Sequence, residues 1–134
     1  MTEILDEVLK QIPESAKISD SCFEGANIVL YTKDKEFFLN NNGIIKKIVD
    51  TLKKRVELRP DPSICLGMEE AKAEIEKIIP QEAKFSNILF DPQRSIVTIE
   101  SEKPGLAIGK QGDVLKEIRK KTLWVPIIRR TPAI

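Results

Sequence analysis

The sequence contains no histidine. This absence removes the commonest general base and the commonest metal ligand of proteins. It therefore excludes a Ser-His-Asp triad, a His-Glu-x-x-His protease and a histidine-bound two-metal nuclease within these 134 residues. The paired carboxylates that remain fall where a solvated helix start or strand end is expected. We expect this segment to be no enzyme by itself and to hold neither a metal nor another cofactor.

The sequence also has few cysteines and no long apolar run. Cys22 and Cys65 are the only cysteines, and they lack the C-x-x-C spacing of a zinc site or redox pair, which suits a reducing cytoplasm. No run of about 18 apolar residues could span a membrane. The first residues are acidic and amphipathic, which is unlike a secretory signal. We expect a cytoplasmic chain with no membrane partner. Any basic surface must be local, because the net charge is only +1.

The chain contains one pattern twice. Residues 12–19 read Ile-Pro-Glu-Ser-Ala-Lys-Ile-Ser, and residues 79–86 read Ile-Pro-Gln-Glu-Ala-Lys-Phe-Ser. Before each copy, apolar residues spaced i, i+3, i+4 predict a helix. After each copy come two strand-like runs, a short helix, a glycine corner, a longer helix and a closing strand. The predicted strands are Ala16–Phe23, Asn27–Thr32 and Val56–Arg59 in the first copy, and Lys84–Phe90, Ser95–Ser101 and Val125–Arg130 in the second.

This repeated order predicts an α+β fold built from two units. Each unit has about 60 residues, which is near the lower limit for an independent core. The proline-rich segment that begins at Pro60 marks the joint between them. We predict domains at residues 1–62 and 68–134, with a linker at residues 63–67.

The glycine corner of the second copy, Gly109–Gly112, stands just before an amphipathic run from Asp113 to Lys121. Glycine permits a tight bend and a close approach to a ligand. The second glycine opens the next helix, whose first N–H groups have no partner inside the helix and point toward any anion placed there. The spacing fits neither a Walker loop nor a dinucleotide fingerprint. On spacing alone, a structural corner between two helices is about as plausible as a binding loop.

The charge around this corner favours nucleic acid. Between Glu102 and Thr131 the chain carries eight cations and three anions. A charge run is usually a solvated helix face, but this one brackets a loop suited to phosphate.

The run from Ile108 to Ile118 reads Ile-Gly-Lys-Gln-Gly-Asp-Val-Leu-Lys-Glu-Ile and matches the signature of KH domains. The element order of each copy resembles a KH domain of the second, prokaryotic type. The tandem, with its Ile-Pro-x-x-Ala-Lys openings and Arg-x-Pro endings, closely resembles the N-terminal region of archaeal β-CASP ribonucleases. These are homologues of the cleavage and polyadenylation specificity factor endonuclease. The resemblance implies an α+β fold of two tandem type II KH domains.

That family implies a single-stranded RNA-binding module with a leaning to U-rich RNA, acting in 3′-end processing and transcription termination. The module would present RNA to a C-terminal nuclease domain of the same chain, and RNA polymerase is a further expected partner. Zinc is expected only in that nuclease domain. We therefore expect these residues to be a fragment of a longer protein.

The candidate RNA-binding residues lie in and around the second corner. Lys110 would sit by a phosphate, and Gln111 can donate to phosphate or sugar oxygens. Leu106 and Ile108 are candidates for an apolar wall beside the bases, although core packing is about as plausible for Ile108. The full set is Gly109, Lys110, Gln111, Gly112, Ile108, Leu106, Lys116, Arg119 and Lys120.

The first copy departs from the pattern. Its corner reads Asn40-Asn41-Asn42-Gly43, without a lysine and with Asn40 in place of the leading glycine, although asparagine tolerates left-handed geometry. We interpret this copy as a degenerate, chiefly structural KH domain. Trp124 could stack on a base or cover the core, and we favour the core.

Two other functions stay open. One is a free-standing archaeal NusA-like transcription termination or antitermination factor. Such factors usually carry the intact corner in the first repeat, whereas this chain carries it in the second. The other is a KH module used mainly for protein interaction.

Overall fold

The computed structural model describes residues 2–132, so the predicted domain ends at residues 1, 133 and 134 lie outside the described residues. The chain divides into two compact units, Met1–Ile64 and Cys65–Ile134. The first unit contains α1 (Thr2–Lys10), β1 (Ile18–Glu24), β2 (Asn27–Thr32), α2 (Lys35–Leu39), α3 (Ile44–Leu52) and β3 (Val56–Pro60). The second contains α4 (Met68–Ile78), β4 (Phe85–Asp91), β5 (Ile96–Ser101), α5 (Pro104–Ile108), α6 (Asp113–Thr122) and β6 (Val125–Arg130).

The two units have the same topology. In each sheet the first strand is antiparallel to the second, and the second is parallel to the third, so the order is β1-β2-β3 and β4-β5-β6. The predicted element order and α+β class are confirmed. Pro126 lies on the edge strand β6, where the missing N–H of proline is tolerated.

The strands β1 and β4 begin later than predicted. Ala16 belongs to a short 3₁₀ turn and Lys17 has a left-handed φ of 49°, so β1 starts at Ile18. Lys84 likewise has a φ of 50°, and β4 starts at the next residue. The repeated Ile-Pro-x-x-Ala-Lys segment is therefore a turn that leads into the strand rather than part of it.

A buried hydroxyl holds this turn in each unit. The Thr32 hydroxyl donates to the carbonyl of Ala16, and the Ser101 hydroxyl donates to the carbonyl of Ala83 at 2.6 Å. Both alanines are completely buried. Ser101 Oγ also accepts from the Lys103 N–H at 3.1 Å. One side chain thus fixes the entry to the first strand and the exit from the second.

Replacing Ser101 with alanine is expected to destabilise the second unit by about 1–2 kcal/mol, because buried backbone groups lose a hydrogen-bond partner. Urea denaturation followed by tryptophan fluorescence would measure the change. Ser86→Ala on β4 is the matched control, because Ser86 is exposed, and it should change the free energy of unfolding by less than about 0.5 kcal/mol. An equal loss in both variants would contradict the assignment.

Each unit has its own apolar core between the helices and one face of its sheet. Trp124 belongs to the second core: it is 3% exposed, its ring meets Phe90 edge-on at 4.8 Å, and its Nε1 donates to Leu66 O at 2.7 Å. This confirms the core interpretation of Trp124 and removes it as a base-stacking residue. The buried residues of the first core are Val8, Ile12, Ala16, Ile28, Leu30, Phe37 and Ile48; those of the second are Ala71, Ile75, Ile79, Ala83, Val97, Ile99, Ala107, Ile118 and Trp124.

The arginines at matching positions of β3 and β6 have different environments. Arg59 is 2% exposed and donates to Glu24 at 2.5 Å, to Glu57 at 2.6 Å and to the Tyr31 hydroxyl at 3.0 Å. Hydrogen bonds to Glu24, outweighing the opposing effect of burial, raise the pKa of Arg59 above its ordinary value.

Arg129, by contrast, is 57% exposed and pairs with Glu100 at 2.6 Å. Hydrogen bonds from Asn87 and Arg129 hold the pKa of the Glu100 carboxyl below its ordinary value. The same strand position therefore carries a buried ion pair in the first unit and a solvated one in the second.

Candidate nucleic-acid interface

The corner between α5 and α6 uses three left-handed positions. Gly109 has φ 84° and ψ 172°, a region that is essentially restricted to glycine, and Gln111 and Gly112 have φ 57° and 76°. Gly112 is the N-cap of α6, and no side chain caps that helix. The Asp113 N–H donates to the carbonyl of Lys110, so only the N–H groups that follow it in the first turn of α6 remain available to an anion that approaches the loop.

Gly109 is required for space as well as for its backbone angles. A Cβ atom on this residue would lie 2.0 Å from Asp113 Oδ1, 2.6 Å from Val114 Cγ2 and 2.9 Å from the Val114 backbone nitrogen. The loop thus folds closely onto the first turn of α6. Gly112 has no atom within 4 Å of the corresponding point, so its requirement is conformational only.

Exposed apolar and polar side chains surround this loop. Leu106 is 45% exposed and Ile108 is 37% exposed, so neither belongs to the core. Lys110 and Gln111 are also exposed. These four side chains and the backbone of the loop present both an apolar and a polar surface to a ligand.

The remaining predicted site residues lie along α6. Lys116, Arg119 and Lys120 are all exposed. Lys116 and Lys120 line a shallow groove, together with Ile78 of α4, that starts at Asp113 beside the loop. Lys120 is seven residues beyond Asp113, about 10 Å along the helix, so it cannot share one phosphate with the loop. Ile118 is buried, and Leu115 packs against the same core.

Asp113 is a residue of the corner that the sequence pattern alone does not place there. Its carboxylate lies against Gly109, at the start of the helix that would receive a phosphate. An acidic residue in the first turn of a helix is common, because the N–H groups there favour negative charge. Only the fold of the corner shows that this acid is beside the loop.

The corner of the first unit keeps part of this geometry. Asn42 and Gly43 have φ 55° and 78°, close to the values of their counterparts Gln111 and Gly112. Asn40 is extended, with φ −152°, so it does not use the left-handed geometry that asparagine tolerates. Instead its side-chain Oδ1 accepts from the Asn42 N–H at 3.1 Å and closes the turn.

The described residues contain neither a metal-binding cluster nor a helix that could span a membrane. In residues 2–132, no cluster of three or more His, Cys, Asp or Glu side chains is arranged to hold a metal ion. None of the helices in the same range is long and apolar enough to cross a membrane.

Comparisons with known proteins identify the class. A model described as "Transcription termination factor FttA, KH domain" matches residues 1–65, and a model described as "KH domain" matches residues 70–122. The chain therefore consists of two tandem KH domains, which confirms the predicted fold class. KH domains are nucleic-acid-binding modules rather than catalytic ones. This segment is accordingly not an enzyme by itself.

Similar full-length proteins are archaeal transcription termination factors. The chain is 45% identical over 134 residues to transcription termination factor FttA of Methanocaldococcus jannaschii and 42% identical over 134 residues to that of Thermococcus kodakarensis. It is 34% identical over 135 residues to that of Lokiarchaeum sp.. Each match covers 100% of this chain and 21% of the relative, so the chain spans about a fifth of their length.

A solved structure described as "Crystal structure of APE1850" aligns with 96% of this chain and 96% of its own, at 15% identity and a TM-score of 0.38. That likeness is too low to support a conclusion.

Proposed function

We propose that this chain is a single-stranded RNA-binding module of a transcription termination factor, and that its second KH domain holds the RNA. The Gly109–Gly112 corner carries the proposal, since its backbone fold, open helix N-terminus and exposed flanking side chains suit a nucleic-acid backbone. The names of the similar proteins support the role in termination.

The corner suits a phosphate on one side and bases on the other. Backbone N–H groups at the start of α6 would donate to phosphate oxygens, and Lys110 would supply a positive charge. Gln111 can donate to a phosphate or sugar oxygen. Leu106 and Ile108 would lie beside the bases, where apolar side chains replace water against the ring faces. A KH loop of this kind clamps about four nucleotides.

Within this proposal, the comparisons favour a transcription termination factor over delivery of RNA to a nuclease, because the relatives are named for termination. A nuclease domain elsewhere in the same chain, 3′-end processing, contact with RNA polymerase, cytoplasmic location and a U-rich preference remain our proposals. They rest on the resemblance described above and not on the geometry of this segment.

The double variant Lys110→Asp/Gln111→Asp is expected to weaken RNA binding by at least about tenfold, because it places two negative charges where phosphates would lie. Fluorescence anisotropy with short U-rich and C-rich RNAs, at low and moderate salt, would measure the dissociation constants. Wild-type binding should weaken as salt rises, since phosphate contacts release counterions.

Lys72→Asp/Gln93→Asp is the matched control. It makes the same change in charge at exposed positions on α4 and in the turn between β4 and β5, outside the corner, and should alter affinity by less than about threefold. If the corner variant remains folded and binds RNA as tightly as the wild type, the proposal fails. In that case, the KH module would be one used mainly for protein interaction.

A further inference from the structure

The carboxylate of Asp113 lies beside the loop at which a phosphate is proposed to bind. The space that a Cβ of Gly109 would fill is taken by Asp113 Oδ1, so the acid lies directly against the loop backbone. Asp113 is exposed, and no group in residues 2–132 donates a hydrogen bond or forms an ion pair with its carboxylate. Its charge therefore acts on whatever ligand enters the loop.

The same feature that would attract RNA also attracts this acid. The N-terminus of a helix carries about half a positive charge, which stabilises an anion in the first turn. Asp113 is the acidic residue in the first turn of α6. A phosphate that binds the loop must share this positive end with the carboxylate, and two anions at contact distances repel each other.

The first unit offers a natural contrast. The residue that follows its corner, at the position matching Asp113, is Ile44, and the first turn of α3 has no acidic residue. That corner also lacks a lysine. The acid therefore accompanies the corner that has both glycines and Lys110, rather than the corner that lacks the leading glycine and the lysine.

We propose that Asp113 is a built-in counter-charge that limits how tightly the second KH domain holds RNA. The inference rests on the proposed function of the Gly109–Gly112 loop and adds a residue that sets its strength. Lys110 and the helix N-terminus attract the phosphate, whereas Asp113 opposes it. These opposing charges keep the affinity for RNA low, so that RNA dissociates quickly and can move through the module.

The variant Asp113→Asn keeps the shape of the side chain and removes its charge. It is expected to bind single-stranded RNA about three- to tenfold more tightly at low salt, and the gain should come mainly from slower dissociation. The gain should shrink as salt screens the repulsion, since the Debye length falls from about 10 Å at 0.1 M to about 3 Å at 1 M. Anisotropy titrations and stopped-flow dissociation would measure both effects.

Two matched variants separate this local effect from net charge. Glu69→Gln removes one negative charge from the exposed first turn of α4 in the same unit, and Asp50→Asn removes one from the first unit. Each is expected to change affinity by less than about twofold. An equal gain in all three variants would overturn the proposal, because affinity would then follow net charge only.

The choice of nucleic acid gives a further test. Asp113→Asn should strengthen binding to RNA and to single-stranded DNA of the same sequence by the same factor, because both have phosphates. Loss of RNA affinity with a gain for DNA would overturn the inference, since the carboxylate would then accept a hydrogen bond from the ribose 2′-hydroxyl. Thermal unfolding should show Asp113→Asn as stable as the wild type within about 1 kcal/mol.

Different results would contradict the proposed RNA-binding loop and the proposed counter-charge at Asp113. If Lys110→Asp/Gln111→Asp abolishes binding but Asp113→Asn has no effect at low salt, the loop holds RNA and the counter-charge inference alone is wrong. If neither variant changes binding, the proposed function of the loop is wrong.

Discussion

Replacing Arg59 with leucine is expected to destabilise the first unit by about 3–5 kcal/mol. The guanidinium group is almost completely buried and donates to Glu24, Glu57 and the Tyr31 hydroxyl. Its loss leaves partly buried carboxylates without their charge-assisted hydrogen bonds. Hydrogen exchange of the β2 amides would measure this loss within the first unit.

Arg129→Leu is the matched control for this experiment. The residue occupies the same position in the second sheet and also pairs with a carboxylate, but it is largely solvated. An exposed pair of this kind contributes at most about 1 kcal/mol. If both leucine variants lose the same stability, burial is not what makes Arg59 important.

Replacing Gly109 with alanine is expected to destabilise the second unit by about 2–4 kcal/mol. A methyl group there would collide with Asp113 and with the backbone of Val114, and alanine is strained at the backbone angles of this residue. RNA affinity should fall as well, because relief of the collision moves the loop away from the start of α6. Urea denaturation followed by the fluorescence of Trp124 would give the stability.

Gly105→Ala is the control, because it makes the same chemical change four residues earlier. Gly105 lies inside α5, and a Cβ there meets nothing within 4 Å. Alanine should stabilise this helix by about 0.5–1 kcal/mol relative to glycine. Equal destabilisation by the two alanines would show that the close approach at Gly109 has no special role.

The sequence contains enough information to predict the repeat, the element order and the exposed corner. Apolar spacing predicts α3 and α6, because it reflects which residues face the core, whereas β2 is a continuous apolar run that is buried from Ile28 to Thr32. It cannot predict where β1 starts, since Lys17 takes a left-handed conformation to fit a turn held by the hydroxyl of Thr32. Such contacts join residues that are far apart in the sequence.

The same limit applies to the candidate site. The spacing of Gly109 and Gly112 predicts a tight corner, and Lys110 predicts an affinity for anions. The position of Asp113 against Gly109, however, follows from the path of the chain through the corner.

The turn at Asn40 shows how the corner of one KH domain in a duplicated pair can change while the turn is kept. When the leading glycine of a corner is lost, an asparagine side chain can replace it by accepting from the backbone two residues later, as Asn40 does from Asn42. A corner without its leading glycine can therefore still close its turn. Selection on folding and selection on binding then act on different residues, and one domain of a tandem is free to acquire another role.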